Sequence, residues 1–509
     1  MEATTTFSGP VEIKTSYMRE RMRRIFPRLL FSLILCSHML MGTGISEAPL
    51  PDSLDQLQKK LREIVSQADE ETQIGVHIVS IDEGKILFEK NAKHRFVPGG
   101  AIKLLTAGAA LQKLGPSFCF ETTLSTDGEI VDGVLKGDLY LTGSGDPSLV
   151  SHSLEDLIFQ LKLQNIHEIE GDLVFDSSEF DELSLAPGWM WDDKLEYRNG
   201  PVEALTVNHS CMKIWVKPVK QKGVSPFVHI EPELPGLIIE NNAKMDDIEP
   251  ARNSLVVEKK ENTEKDVLCI EGTMSVKSPI LEFSVPVKRP SLYVATEFSV
   301  LLKNHHIKQQ GKMRFESTPL KAKRLANHLS ESLFHLVMHM LKHNDNLYAN
   351  CFFKKIGALK YAKPGTWPTG SRALHEFLSS VGGKEWEDSI LLDGSGESRY
   401  NMVSPKAMTS FLCSMYRQFS PEFIASIPVA GIDETLKKRL KDKALKGKVR
   451  VLPGALQGVS SLNGYVTTLD GEVLAISVMV NASQSCAKTA KKEIEDKICN
   501  TLTRVSLRS

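Results

Sequence analysis

Lys103 is the residue whose setting could most directly support catalysis. It lies near the start of segment 101–114, which is predicted to form a helix that ends at Gly115-Pro116. Residues three apart share a helix face, so the Lys103 amine could take a proton from a nucleophile at position 100, where the free N–H groups and positive dipole of the helix N-terminus could stabilise an oxyanion. Position 100 is a glycine, which has no side chain.

Helical and strand patterns on both sides of this segment indicate the elements that would position it. Residues 120–290 have many short strand patterns separated by turn signals, with one helical pattern at 154–163. The flanking regions instead alternate between helical and strand periodicity. The helical patterns there cover 54–68, 330–353, 372–381, 405–416 and 491–502, and the hairpin patterns cover 74–89 and 458–480.

These patterns predict an α/β (α+β) fold in which one domain is split by a large β-rich insert. We expect residues 47–119 to form the first part of the split domain, residues 120–290 the insert, and residues 291–509 the second part. With 509 residues and 41% hydrophobic content, the chain can bury a sizeable core.

Three short segments become informative when they are read together. Residues 100–103, 344–346 and 452–454 occur in this order, and about 240 residues separate the first from the second. Together they resemble the Ser-x-x-Lys, Ser-x-Asn and Lys-Thr-Gly motifs of the class C low-molecular-weight penicillin-binding proteins, which are serine-type D-alanyl-D-alanine carboxypeptidases and endopeptidases. The resemblance implies that the split domain is a penicillin-binding-protein/β-lactamase-like transpeptidase domain.

Further segments extend this resemblance over roughly residues 54 to 505. They have the sequences Tyr-Leu-Thr-Gly-Ser-Gly-Asp-Pro, Ala-Pro-Gly-Trp, Asp-Gly-Ser-Gly and Pro-Val-Ala-Gly-Ile-Asp, at 140–147, 186–189, 393–396 and 428–433. The long spacing between the first two motifs also fits this class, in which extra domains are inserted into the transpeptidase-like domain.

The resemblance implies that each motif has lost an essential residue. Gly100 stands at the nucleophile position, although Lys103 is kept. Asn344 replaces the serine that relays a proton to the leaving group, and an amide cannot donate and accept through one rotating hydroxyl. Asn346, the substrate-contacting asparagine, is kept. Lys103 and Asn346 are therefore expected to be vestigial catalytic residues.

The third motif has lost the groups that would hold the substrate carboxylate. Leu452 and Pro453 stand in place of the lysine and the threonine, so a cation and a hydroxyl are both missing, whereas Gly454 is kept. Because proline lacks an N–H and fixes its φ, Pro453 is also expected to bend the strand that lines the cleft.

These losses predict a catalytically inactive homologue that acts by binding or scaffolding in the cell envelope. The alternative is an active D-Ala-D-Ala carboxypeptidase or endopeptidase with a nucleophile that the motifs do not reveal. Ser485 and Lys488 fit Ser-x-x-Lys literally, but they follow the third motif, where the family has no catalytic residues. The partners expected are peptidoglycan stem peptides or cell-wall enzymes.

No cofactor and no metal site are expected, with one alternative left open. His335, His339 and His343 recur every four residues along one predicted helix, a spacing that can bind a divalent metal, although a solvated helix face explains it as well. The eight cysteines include no Cys-x-x-Cys pair, so no metal knuckle or disulfide framework is implied.

The N-terminal region has the pattern of an export signal. Five arginines between residues 19 and 28 precede the apolar run 29–41 and the small residues 42–46. We expect residues 1–46 to be a signal peptide or, as the alternative, an uncleaved anchor that would keep the protein at the membrane surface. The expected location is the periplasm or cell envelope. A formal net charge of −1 gives no general attraction for nucleic acid, and no nucleic-acid partner is expected.

Overall fold

The structure is a computed structural model that describes residues 53–68, 71–190, 200–231, 236–260, 267–418, 421–437, 439–482 and 490–507. The predicted leader, residues 1–46, and the segment from Ser485 to Lys488 lie outside these ranges. Within the described ranges, no helix is both long and apolar enough to cross a membrane.

The elements of the described residues are numbered in chain order. The helices are α1 (Leu54–Val65), α2 (Ile102–Leu114), α3 (Ser151–Leu163), α4 (Pro290–Asn304), α5 (Leu333–His343), α6 (Asn346–Tyr361), α7 (Trp367–Gly382), α8 (Pro405–Gln418), α9 (Pro421–Ser426), α10 (Glu434–Lys437) and α11 (Lys497–Leu502). The strands are β1 (Gln73–Ser80), β2 (Ile86–Lys90), β3 (Glu121–Thr126), β4 (Glu129–Val131), β5 (Val134–Lys136), β6 (Leu139–Thr142), β7 (Glu168–Ile169), β8 (Leu173–Asp176), β9 (Cys211–Lys217), β10 (Phe227–Glu231), β11 (Ile238–Asn241), β12 (Lys244–Asp246), β13 (Val256–Lys259), β14 (Val267–Glu271), β15 (Thr273–Ser275), β16 (Leu281–Pro286), β17 (Lys308–Gln309), β18 (Met313–Phe315), β19 (Lys323–Leu329), β20 (Val449–Leu456), β21 (Val459–Thr467) and β22 (Val473–Asn481).

A five-stranded antiparallel sheet joins the two ends of the chain. Its strand order is β2-β1-β22-β21-β20, so the N-terminal hairpin pairs with the C-terminal strands. The predicted hairpin at 74–89 is β1 and β2, and the predicted hairpin at 458–480 is β21 and β22. The mixed α/β architecture expected from the sequence is confirmed.

This sheet lies between two helical layers. Alternate residues of a strand point to opposite faces, so one strand contributes side chains to both layers. On β22, Ile476 and Val478 belong to a core that also contains residues of α1 and α11. Ala475 and Met479, also on β22, belong to a second core formed largely by α2, α5, α6, α7 and α8. Helix α2, whose residues 102–111 are all buried, is thus held inside the second layer.

The insert packs around a core of its own, which runs from Leu124 to Ala326. The boundary expected at residue 290 falls inside this core, because α4 contributes Tyr293 and Phe298 to it. Strand β19 pairs with β3, and β18 pairs with β8, so the sheets of the insert continue to Leu329. The short strands β17 and β18 gave no alternating pattern in the sequence that could have placed this end.

The helical pattern predicted over 330–353 is interrupted at one corner. Helix α5 ends at His343, and its C-cap residue Asn344 has a left-handed φ of 56°; α6 begins directly after Asp345. Asparagine tolerates left-handed backbone better than most residues, and aspartate is a favoured N-cap. The Asp345 carboxylate accepts a hydrogen bond from the Tyr348 N–H at 3.2 Å. Two adjacent polar residues therefore form a sharp turn between two buried helices.

Candidate active site

The start of α2 places position 100 next to the Lys103 amine. A 3₁₀ turn over Gly99–Ala101 leads into the helix and is buried. A Cβ atom built on Gly100 would lie 3.5 Å from Lys103 Nζ. Lys103 is fully buried and donates a hydrogen bond to the Ser395 carbonyl oxygen at 2.9 Å. An amine is therefore positioned for a nucleophile at residue 100, and Gly100 supplies none.

The corner between α5 and α6 brings Asn344 to the same point. Its Oδ1 atom lies 3.1 Å from the Cβ position of residue 100. This oxygen is buried and has no hydrogen-bond partner within the described part of the chain. An amide oxygen can only accept a hydrogen bond, so it cannot pass a proton onwards as a hydroxyl could.

Strand β20 forms a further wall of the site at the edge of the five-stranded sheet. The carbonyl oxygen of Pro453 lies 3.5 Å from the Cβ position of residue 100, and a Cβ on Gly454 would lie 3.0 Å from the Gly100 nitrogen. The ladder with β21 keeps its register through the Pro453–Leu462 pair. The expectation of a bend at Pro453 is therefore wrong, because an edge strand tolerates a proline without losing its pairing.

Two of the predicted site residues are buried beside this arrangement. Leu452 is fully buried in the second core, and its apolar side chain offers the site no charge. Asn346 is the first residue of α6 and is 3% exposed. The structure thus brings positions 100, 103, 344, 453 and 454 together around one point, with Asn346 on the adjoining helix.

A loop at 393–401 also belongs to this site, although the sequence gave it only as part of the resemblance. Its buried Asp393 carboxylate accepts hydrogen bonds from the Ser398 and Gly396 N–H groups, from the Ser395 hydroxyl, and from the Asn401 and Trp189 side chains. The hydrogen bonds fix the loop that holds Lys103 through the Ser395 carbonyl. The Asp-Gly-Ser-Gly sequence at 393–396 was the available signal, because its glycines permit close backbone approach.

Close packing at Gly396 joins this loop to the start of α2. Gly396 has a φ of +88°, and a Cβ atom there would collide with the Gly99 carbonyl oxygen. The Ser461 hydroxyl, on β21, donates to the Pro98 carbonyl at 2.6 Å. The turn that carries Gly100 is therefore held by the Gly396 backbone on one side and by the Ser461 hydroxyl on another.

The structure does not bring all three predicted histidines together, although the His339 and His343 rings are in contact, with centroids 4.6 Å apart. His335 is next to Glu331 and Ser332, and His343 is next to Glu434. His339 instead lies with Asp345 and with His209 of the insert. The sequence did not indicate His209, because it is 136 residues from Asp345 along the chain.

The fold and the site define a class: a split transpeptidase-like domain with a buried lysine one turn after the start of its central helix and a large insert between its two halves. Residues 57–505 match the D-Ala-D-Ala carboxypeptidase 3 (S13) family. The chain belongs to this family, as the resemblance in its motifs implied.

Individual relatives cover most of the chain. It is 29% identical over 422 residues to the D-alanyl-D-alanine carboxypeptidase DacB of Haemophilus influenzae, covering 82% of this chain and 87% of that protein. It is 28% identical over 434 residues to the D-alanyl-D-alanine carboxypeptidase of Actinomadura sp. strain R39, covering 82% and 79%.

Solved structures give the same result for the fold. The crystal structure of penicillin binding protein 4 (dacB) from Haemophilus influenzae superposes with a TM-score of 0.76 at 29% identity, covering 89% of this chain and 99% of that chain. The same protein complexed with a β-lactam superposes with a TM-score of 0.73 at 27% identity, covering 87% and 99%. The chain is therefore a homologue of the D-Ala-D-Ala carboxypeptidases of peptidoglycan metabolism.

Proposed function

We propose that this protein is an exported, catalytically inactive member of its family that binds peptidoglycan stem peptides or a cell-wall enzyme without turning over a substrate. The observation that carries the proposal is the Cβ position of Gly100, which lies 3.5 Å from a buried lysine amine. The base is in place and the group that it would activate is missing. Without a nucleophile, covalent catalysis cannot begin.

Neighbouring serines do not replace the missing hydroxyl. Ser395 and Ser461 are both fully buried. The Ser395 hydroxyl donates to Asp393, and the Ser461 hydroxyl donates to the Pro98 carbonyl. A serine nucleophile must be reachable by the substrate carbonyl and must be able to lose its proton to a base. Both hydroxyls instead stabilise the walls of the site, which disfavours the alternative of an active enzyme with a different nucleophile.

The other two motifs support the same conclusion. Asn344 presents an amide oxygen to position 100 where a hydroxyl relay is needed. Leu452 offers no cation, and Pro453 offers a carbonyl oxygen but no N–H and no hydroxyl for a substrate carboxylate. Because groups that act as a unit are strongly non-additive, the retained Lys103 and Asn346 alone would not sustain the turnover of an intact site.

The ligand class and location follow from the relatives and the N-terminal sequence. The named relatives are D-alanyl-D-alanine carboxypeptidases. The retained fold therefore favours stem peptides as ligands, or cell-wall enzymes that act on such peptides as partners. The arginine-rich and apolar region at residues 19–41 supports export to the periplasm or cell envelope.

The decisive experiment measures acylation and release of D-alanine on one preparation. We expect no stable mass increase after incubation with a reporter β-lactam and no D-alanine release from a diacetyl-Lys-D-Ala-D-Ala peptide. The Haemophilus influenzae DacB protein serves as the positive control in both assays. A stable adduct on any serine of the mature protein, or D-alanine release near that of the control, would refute the proposal.

Binding is measured separately, because inactivity alone does not identify the ligand. Calorimetric titration with the same peptide is expected to give saturable binding. A matched peptide that ends in L-Ala-L-Ala is the control and is expected to bind more weakly. If neither peptide binds, the stem-peptide part of the proposal is wrong, and a protein partner is left as the ligand class.

A further inference from the structure

His209, His339 and Asp345 form a cluster at the α5–α6 corner. The His209 Nε2 atom lies 3.0 Å from Asp345 Oδ2, and the His339 Nε2 atom lies 3.6 Å from the same oxygen. The three ligand atoms all lie within 4.8 Å of one another. Two imidazole nitrogens and one carboxylate oxygen therefore converge on one point.

Two of the three separations are those of a tetrahedral zinc site, and the third, between the two histidines, is within 4.8 Å. Zinc bonds to histidine nitrogen and carboxylate oxygen of about 2.0–2.1 Å place neighbouring ligand atoms of a tetrahedral site about 3.3 Å apart. The two measured separations of 3.0 and 3.6 Å lie on either side of that value. Mixed imidazole and carboxylate donors also suit zinc better than magnesium or calcium, which prefer oxygen ligands.

The backbone that presents His209 is in an unusual conformation. Asn208, His209 and Ser210 have φ values of 52°, 59° and 54°, so three consecutive residues other than glycine are left-handed. Such backbone is unfavourable and persists only where surrounding contacts enforce it, often at a functional site. Here the Asn208 amide donates to the Ser151 hydroxyl at 2.7 Å and anchors the turn. The conformation turns His209 towards the α5–α6 corner.

The other two ligands are fixed by the fold. Asp345 is the N-cap of α6, and His339 stacks on the Tyr348 ring with centroids 4.5 Å apart. The Asp345 side chain is 12% exposed and that of His339 is 39% exposed. The cluster is thus built from rigid elements and is open on the His339 side, where a water or another ligand could occupy a fourth position.

We propose that His209, His339 and Asp345 bind one zinc ion that joins the insert to the corner carrying Asn344 and Asn346. The proposal is independent of whether the protein hydrolyses D-Ala-D-Ala peptides. It replaces both the expectation of no metal and the alternative of a His335–His339–His343 site. Without zinc, the same side chains would form only a hydrogen-bonded contact between the two parts of the chain.

The test titrates zinc into the full chain after metal has been removed with a chelator, with calorimetry for affinity and elemental analysis for stoichiometry. We expect one zinc per chain. His209→Gln and His339→Gln are each expected to weaken binding at least about tenfold, because each removes one of three ligands. His335→Gln is the matched control, because it changes a histidine of the same helix outside the cluster. The zinc affinity of this variant should equal that of the unmodified protein.

A second measurement separates loss of a ligand from loss of folding. Zinc should raise the Tm of the unmodified protein and of His335→Gln more than that of His209→Gln, because stabilisation by a bound ion grows with its affinity for the folded state. If His209→Gln folds poorly, Asp345→Asn is measured instead, since asparagine preserves the N-cap. The proposal would be overturned if the unmodified protein failed to bind zinc, or if the His209→Gln and His339→Gln variants bound zinc as tightly as the unmodified protein.

Discussion

The two sides of position 100 differ in how their polar groups are satisfied. On one side, the Asp393 carboxylate accepts five hydrogen bonds and fixes the loop that holds Lys103. On the other side, the buried Asn344 Oδ1 has no hydrogen-bond partner among the described residues, and the buried side chain of Leu452 is apolar. The groups that hold the shape of the site are therefore separate from those that would perform the chemistry. A protein can lose the second set and keep the first.

Restoring the missing catalytic groups tests this separation most strongly. Gly100→Ser, Asn344→Ser, Leu452→Lys and Pro453→Thr together should give measurable D-alanine release, at least about 100-fold above Gly100→Ser alone, because the groups act as a unit. The single variant should have a hydroxyl close to Lys103 but neither the relay nor the carboxylate clamp. Release of D-alanine is measured from the diacetyl tripeptide, with urea unfolding as a check that both variants fold. Comparable rates for the two variants would mean that the Asn344, Leu452 and Pro453 changes are neutral.

A pair of side-chain truncations compares the two sides directly. Asp393→Ala should lower the free energy of unfolding by about 3–5 kcal/mol, because it leaves several buried donors without an acceptor. Asn344→Gly should change it by less than about 1 kcal/mol, since glycine adopts the left-handed conformation easily and the lost oxygen has no partner. Urea denaturation of both variants measures the difference. Equal losses of stability would show that the motif side also holds the structure.

A pair of glycine substitutions gives a smaller but equally direct comparison. Gly396→Ala should cost about 3 kcal/mol, because its φ is +88° and the new methyl group would collide with the Gly99 carbonyl. Gly100→Ala should cost less than about 1 kcal/mol, since its nearest neighbour is the Asn344 side chain at 3.1 Å, which can move slightly. Thermal and urea unfolding should rank the two variants in this order. A larger loss for Gly100→Ala would mean that position 100 can no longer accommodate a nucleophile.

Sequence periodicity predicted the elements with long regular patterns and missed those fixed by tertiary contacts. The hairpins were predictable from their strand periodicity, and α2 from its apolar run and the stop signal at Gly115-Pro116. The break at Asn344 was not, because the apolar pattern continues from α5 into α6 and only the backbone conformation of one residue divides them. The end of the insert was missed because β17 and β18 contain two and three residues, too few for a pattern.

The candidate site was predictable to the extent that it lies in short motifs. Order and spacing identified positions 100, 103, 344 and 453, and the structure brings them together. The bend expected at Pro453 was wrong because its strand lies at the sheet edge, a position that local sequence does not reveal. His209 could not be predicted as a neighbour of Asp345, since no local pattern relates residues so far apart.

The pairing of the chain ends constrains the order in which the protein can fold. The segment before Gly99 is held by Asn481, the last residue of β22. The Val97 N–H donates to the Asn481 side chain at 2.8 Å, and the two residues are 384 positions apart in sequence. Contacts so distant in sequence carry a high entropic cost of loop closure and form late. The insert, whose core is internal to the chain, can be complete before that happens. Translation must therefore reach almost the C-terminus before position 100 has its final surroundings, and a chain truncated ahead of β22 should retain a folded insert beside an unfinished transpeptidase-like domain.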